Sequence, residues 1–281
     1  MTEIKTVPRL ESFKRALSFV ENPLPVIDAA LKTYGNTYYT RIIGGRKIVM
    51  TIEPVVAQHI LQKNNKNYIK SELQTEALGK YVGLGLLTAN GDYWLRQRRL
   101  IQPGFHKAKL ATLIEIMVAE IEKFYDDLEL RIGQNTSVDI NDAMMELTLR
   151  VVSKSLFSTG IDEDKIVELG NTINRLQQHI VREVRLPLMN WWRRVNGSVR
   201  RAKSLAAEVR GMLQVIIDQR KADGVVQDDL LDMLIHSRYE DTGEPMTNQQ
   251  ILDEAIILFV AGYETTANTL AWCLHSLREH P

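Results

Sequence analysis

Ile251–Leu277 decides the fold, with Ala261-Gly262-Tyr263-Glu264-Thr265-Thr266 at its centre. Thr247 and Gln250 precede it with the spacing of a capping box, so a helix is predicted to start there. No residue of the stretch stops it before Pro281. At about 1.5 Å per residue such a helix would be roughly 45–50 Å long. Every residue from Ala255 to Tyr263 is apolar or glycine. A helix apolar all round is buried. The run is far short of the ~20 residues that a membrane span needs, and Glu264 closes it. The expectation is a long helix through the protein's centre, with a carboxylate and two hydroxyls in its driest part.

That placement is costly. Gly262 inside a helix costs about 1 kcal/mol relative to alanine. A buried carboxylate must be paired, hydrated or neutralised. The Thr265 hydroxyl can bond back to the Ala261 carbonyl and bend the helix. Two readings stand. In one, the small residues open a local space where a group sits against the backbone and receives protons from the acid and the alcohol. In the other, Ala261 and Gly262 make a helix–helix contact and Glu264 is ion-paired.

A second segment is Gly91-Asp92-Tyr93-Trp94-Leu95-Arg96-Gln97-Arg98-Arg99, followed by Pro103-Gly104-Phe105. Asp92 is expected to cap its helix. Trp94 and Arg98 are four apart and share a face. An indole N–H and a guanidinium fork are both donors, and the fork suits a carboxylate. The alternative is a stacked Trp–Arg pair on a solvated helix.

The two segments, in this order and separation, resemble the cytochromes P-450, the heme-thiolate monooxygenases. The resemblance covers the whole chain, which looks like about the first three-fifths of a member. It implies a mainly helical, partial P-450 fold: a helical bundle around a long central helix with a small N-terminal β-sheet, in a single domain over 1–281. It implies heme b as cofactor, with Trp94 and Arg98 on the propionates and Ala261 and Gly262 keeping the central helix clear of the open coordination site. Glu264 and Thr265 would be the acid–alcohol pair, Thr265 holding dioxygen and an ordered water, Glu264 feeding protons. The implied partners are a lipophilic substrate, dioxygen and an electron donor such as a ferredoxin or flavodoxin with its reductase.

Two family features are missing. No Glu is followed three positions later by Arg, and no glycine-flanked cysteine loop is present. The only cysteine, Cys273, lies within the predicted helix, where backbone N–H groups are already committed to carbonyls one turn back. It is read as a small buried hydrophobe, not the axial ligand. The chain is therefore expected to lack the proximal half of the heme site and to be inactive alone.

The 281 residues suffice for one large core or two modest domains. Lys plus Arg balances Asp plus Glu at 35 each, which argues against a nucleic-acid binder. A single cysteine excludes a disulfide framework and suits a reducing cytoplasm. Met1–Lys5 opens no long apolar segment, so neither signal peptide nor anchor is expected.

Residues 8–35 read as short helices, and Thr37–Ile43 with Lys47–Ile52 as a hairpin turning at Gly44-Gly45. Pro54 suits the first turn of a helix to about Gln62. Asn67–Ser71 is expected to pair back on the hairpin. Glu72–Asn90 reads as an apolar, glycine-punctuated connection, and a loop of that kind is usually functional. The resemblance puts it over substrate, with Leu86 as the contact residue; the alternative is that its leucines plug the core. Helices are expected over Lys107–Leu130, Asn141–Phe157, Asp162–Val184, Ser198–Lys221 and Gln227–Ser237, with a short strand at Ser137–Ile140. Trp191 and Trp192, beside arginines, suit either a lid and membrane contact or helix packing. Arg96, Arg99, Lys107 and Lys109 form either a docking face for an acidic electron donor or an ordinary solvated surface.

Three alternatives stand beside this: a peroxide-using relative within the family, against which the acid–alcohol pair argues; a heme-free helical interaction protein; and a helical transcriptional or ligand-binding module, which neutral charge and the absence of a turn-linked recognition helix disfavour.

Overall fold

The computed structural model describes residues 4–42, 45–133, 137–158, 162–185, 190–227 and 229–280. The chain forms two compact units, Met1–Ser71 with Gln178–Arg201, and Glu72–Gln177 with Ala202–Pro281.

The first unit holds the sheet. β1 (Lys5–Thr6) is followed by α1 (Arg9–Glu21), α2 (Pro23–Tyr34), β2 (Thr37–Arg41), β3 (Lys47–Thr51) and α3 (Pro54–Gln58). β2 and β3 pair antiparallel with Tyr39 opposite Val49, and β1 adds in parallel with Lys5 opposite Tyr38. Asn22 caps α2 by accepting from the Leu24 N–H at 3.2 Å, with Pro23 in the first turn, where a missing N–H does no harm. Val7, Ala30 and Tyr38 form the small core. The Tyr34 hydroxyl donates to Glu11 at 2.6 Å. That bond, with Arg15 beside it, holds the Glu11 carboxyl below its ordinary range. The hairpin expectation holds for the strands; Gly44 of its turn lies outside the described residues. The expected pairing of Asn67–Ser71 is absent. Asn65–Asn67 is a single 3-10 turn, and the strand beside β2 is supplied by β1 instead.

The second unit is helical. Its elements are α4 (Gly79–Val82), α5 (Gly91–Ile101), α6 (Lys107–Gly133), α7 (Ile140–Phe157) and α8 (Glu163–Arg185), the last only as far as Gln177. Then come α9 (Asn190–Val195), which belongs to the first unit, α10 (Ser198–Asp223), α11 (Leu230–His236) and α12 (Asn248–Glu279). The expected strand at Ser137–Ile140 does not form. Asp139 accepts from the Asn141 and Asp142 N–H groups, so Ile140 opens α7. Asp92 is likewise not the cap of α5: Asn90 occupies that position and Asp92 sits in the first turn. The connection Glu72–Asn90 is partly helical, with a wide π-turn at Leu73–Leu78 running into α4, so only Gly83–Asn90 is irregular.

The main core gathers Leu156, Phe157, Ile173, Leu213, Ile217, Leu231, Leu234, Ile251, Ile256 and Phe259 from α7, α8, α10, α11 and α12. Phe157 and Phe259 stack at 6.4 Å between ring centroids. Buried Arg220 ties the ends of three helices together. It pairs with Asp229 at 2.8 Å and Asp232 at 3.0 Å and donates to the Phe157 carbonyl at 2.8 Å. Among the described residues no helix is long and apolar enough to cross a membrane.

Candidate functional site

α12 begins as its capping residues require. Thr247 accepts from the Gln250 N–H at 3.2 Å while the Gln250 side chain accepts from the Thr247 N–H at 2.8 Å. The helix runs 32 residues, about 48 Å. Its first half is buried among α4, α7 and α11. The expectation that the central motif occupies the driest part is corrected. Burial is nearly complete from Ile251 to Phe259, with Leu258 partly exposed; beyond it only Tyr263 and Ala267 are buried. Past Phe259, packing comes chiefly from α6 and α7, whose Phe124, Met144 and Leu147 surround Ala267. Side chains turned away from them meet solvent. Cys273 is one of these: it is exposed, correcting the expectation of a buried cysteine. Among the described residues no His, Cys, Asp and Glu cluster could hold a metal ion.

Within the motif each residue has a distinct setting. Ala261 is exposed. Gly262 faces α7, where an added Cβ would stand 3.0 Å from Val152 Cγ2, so the helix contact read as one alternative exists at this glycine. Tyr263 is buried, and burial, with the nearby Glu264 charge, raises its hydroxyl pKa above the ordinary value. Glu264 is half-buried and has no ion-pair partner among the described residues. The Thr265 hydroxyl donates to the Ala261 carbonyl at 2.6 Å, and Thr269 repeats the bond to the Thr265 carbonyl at 2.8 Å. Ala261, Thr265, Thr269, Trp272 and Ser276 follow helical spacing and form one exposed face. That face carries small and hydroxyl groups next to an unpaired carboxylate, an arrangement able to pass protons to a group bound against it.

On α5, the Arg98 guanidinium carbon lies 5.5 Å from the Trp94 ring centroid. Arg98 is exposed and makes no ion pair among the described residues, leaving its donors able to meet a carboxylate. Arg96 is engaged, over the Tyr239 ring at 4.6 Å and 3.2 Å from Asp241. The inner face of α5 joins the start of α12 through Tyr239, whose hydroxyl accepts from buried Gln97 at 2.6 Å and from Gln250 at 3.1 Å. Tyr93 and Gln97 are thus the α5 residues linked to the first turn of α12, and among the described residues Arg98 makes no ion pair or hydrogen bond to Glu264 or Thr265.

Sequence reading missed Asp253 and Glu254. Both are buried, and both hold the loop ahead of α5. Asp253 accepts from the Leu84 N–H at 2.9 Å and Gln249 at 2.8 Å, and pairs with Arg210 at 2.7 Å. Glu254 accepts from the Leu86 N–H through both oxygens at 3.1 Å. Burying a carboxylate is costly unless it is hydrogen-bonded, so these bonds are what make the positions tenable. The available signal was two adjacent acids inside an apolar helical run, with glycines at 83 and 85 far upstream. Leu86 itself is half-buried and packs on the main core, in line with the plugging alternative.

A family model, "Cytochrome P450", matches residues 8–281. The chain therefore belongs to the cytochrome P450 family. It is 30% identical over 256 residues to cyclooctat-9-en-7-ol 5-monooxygenase of Streptomyces melanosporofaciens, covering 90% of this chain and 54% of the relative. To cyclooctatin synthase of the same organism it is 29% identical, over 95% of this chain and 57% of the relative. Cytochrome P450 72A13 of Arabidopsis thaliana is 29% identical over 89% of this chain and 49% of its own length. The crystal structure of the cytochrome P450DA heme domain superposes with a TM-score of 0.76 at 18% identity, over 99% of this chain and 61% of that one. The chain thus spans about half the length of the curated relatives it matches, and the helical fold with its small sheet is that of P450 heme domains.

Proposed function

We propose that this chain is the N-terminal part of a single-domain, heme-dependent monooxygenase acting on an apolar small molecule. The observation that carries it is the exposed face of α12 at Ala261 and Thr265, flanked by the unpaired Glu264 carboxylate. Heme b, when bound, supplies dioxygen activation and insertion of one oxygen atom into substrate. On this reading Arg98, with the Trp94 indole, receives the propionates, and exposed Ala261 leaves room for the ring against the helix. Thr265 keeps its hydroxyl proton on the Ala261 carbonyl and offers its oxygen lone pairs outward to an ordered water. Glu264 exchanges protons with solvent and relays them along the same turn. General acid help of this kind is typically worth about 10²–10⁴ in rate.

On this reading Trp94, Arg98, Ala261 and Thr265 would hold and face the heme, and Cys273, exposed within a helix, is not its ligand. On α6, Leu110, Ile114, Met117, Val118, Ile121 and Tyr125 form an exposed apolar row, which supports further polypeptide packing there in the whole protein. Support for a small-molecule substrate comes from the relative named cyclooctat-9-en-7-ol 5-monooxygenase. Electrons would come from a ferredoxin or flavodoxin system in a cytoplasmic setting.

The test is made on the full-length protein. It should take up heme with the absorbance of thiolate ligation after reduction and carbon monoxide addition. Thr265→Ala should keep that spectrum while most electrons are lost to peroxide or water. Unchanged coupling removes Thr265 from the mechanism. A full-length protein that takes up no heme points instead to a helical interaction protein.

A further inference from the structure

We propose that Glu254, assisted by Asp253, is a positioning residue that sets where the Gly83–Leu87 loop stands on the functional face of α12. The substrate part of this inference rests on the function proposed above.

Glu254, Ala261 and Thr265 are related by steps of seven and four residues, so they lie on one face of the helix. Glu254 is fully buried and Thr265 exposed, with about 16 Å of helix between them. The loop held at Glu254 therefore occupies the buried end of the same strip that carries the motif.

The loop is held through its backbone amides. Leu84 and Leu86 donate their N–H groups to Asp253 and Glu254. The loop is closed on itself by Thr88, whose hydroxyl donates to the Gly83 carbonyl at 2.7 Å and accepts from the Gly85 N–H at 3.1 Å. A Cβ at Gly85 would stand 2.7 Å from the Glu254 carboxyl carbon, so a side chain there would displace that carboxylate. Gly83 has φ +94°, and its Cβ would meet Asp253. With its amides gripped, the loop presents Leu84 to solvent while Leu86 and Leu87 pack on the main core. A loop with no clearance at its glycines transmits any displacement of the carboxylate. Changing Glu254 should therefore alter substrate fit without touching substrate.

Hydrogen exchange on the full-length protein, followed at the Leu84–Leu87 amides, reads the hold without requiring heme. Glu254→Leu should raise exchange there by about tenfold or more, the loss of one well-made hydrogen bond to a charged group. Glu254→Gln, which keeps one acceptor oxygen, should restore most of the protection. Gly85→Ala approaches from the loop side and should reproduce the Glu254→Leu pattern even if that variant folds poorly. In turnover, Glu254→Leu should raise KM about tenfold with kcat little changed, and Glu254→Gln should recover it. Unchanged exchange in both Glu254→Leu and Gly85→Ala overturns the hold. Raised exchange with unchanged KM overturns the positioning role. A wild-type protein without heme overturns the proposed function and the substrate part of this inference with it, while the exchange result still decides the hold.

Discussion

The two halves of α12 share a backbone and α7 as a neighbour, and differ in how completely they are covered. From Asn248 to Phe259 the helix is walled by α4, α7 and α11, and its acids Asp253 and Glu254 are buried and bonded. From Val260 to Glu279 it is covered mainly on the side of Ala267, and its acid Glu264 is half-buried, with no ion pair among the described residues. A carboxylate in the first half is a fastening. The carboxylate in the second half is partly open to solvent. The sequence letter is the same, and the neighbours decide which chemistry it has.

The sharpest way to break this comparison is to truncate one large side chain in each half. Phe259→Ala removes a ring with no exposure that stacks on Phe157, and should cost about 3–5 kcal/mol in denaturant titration. Trp272→Ala removes a ring that is 61% exposed, and should stay within about 0.5 kcal/mol. Equal losses would abolish the distinction.

The acids come next. Asp253→Ala strands the Leu84 N–H and Arg210, and should cost about 2–3 kcal/mol in the same titration. Glu264→Ala strands nothing and should change stability by less than about 0.5 kcal/mol.

Gly262 marks the border between the halves. Gly262→Ala gains about 1 kcal/mol of helix propensity but presses on Val152, a β-branched side chain stiff in its helix. The net effect should be a loss of about 1 kcal/mol, turning into a gain in a Val152→Ala background. Thermal melts of the four variants in the cycle measure it.

The smallest effect is with pH. Tyr263 has a raised pKa, first from burial and then from Glu264 and Asp142. The folded state binds its proton more tightly than the unfolded state, so its contribution is complete below the ordinary tyrosine value near ~10. It fades as pH rises through the folded value. Stability should fall on the alkaline side above about 10, and Tyr263→Phe should flatten that slope. An unchanged slope would mean that Tyr263 titrates as it does in the unfolded chain.

Sequence by itself determined what lies within a turn or two of each residue. The capping box at Thr247 and Gln250, the length of α12, the shared face of Trp94 and Arg98, and the bond from Thr265 to Ala261 are all local. They depend on helical periodicity and on groups within about four residues of each other. The two motifs also sufficed to show the family. Tertiary structure decided the rest. It exposed Cys273 and the motif's threonines, because α6 and α7 cover only one side of the helix end. It turned Gly262 toward Val152, and gave the strand beside β2 to Lys5–Thr6 instead of Asn67–Ser71. It joined Leu86 to Glu254 across 168 residues of chain. Local periodicity places a residue on a face but leaves open what covers that face, which only the packing of distant segments decides.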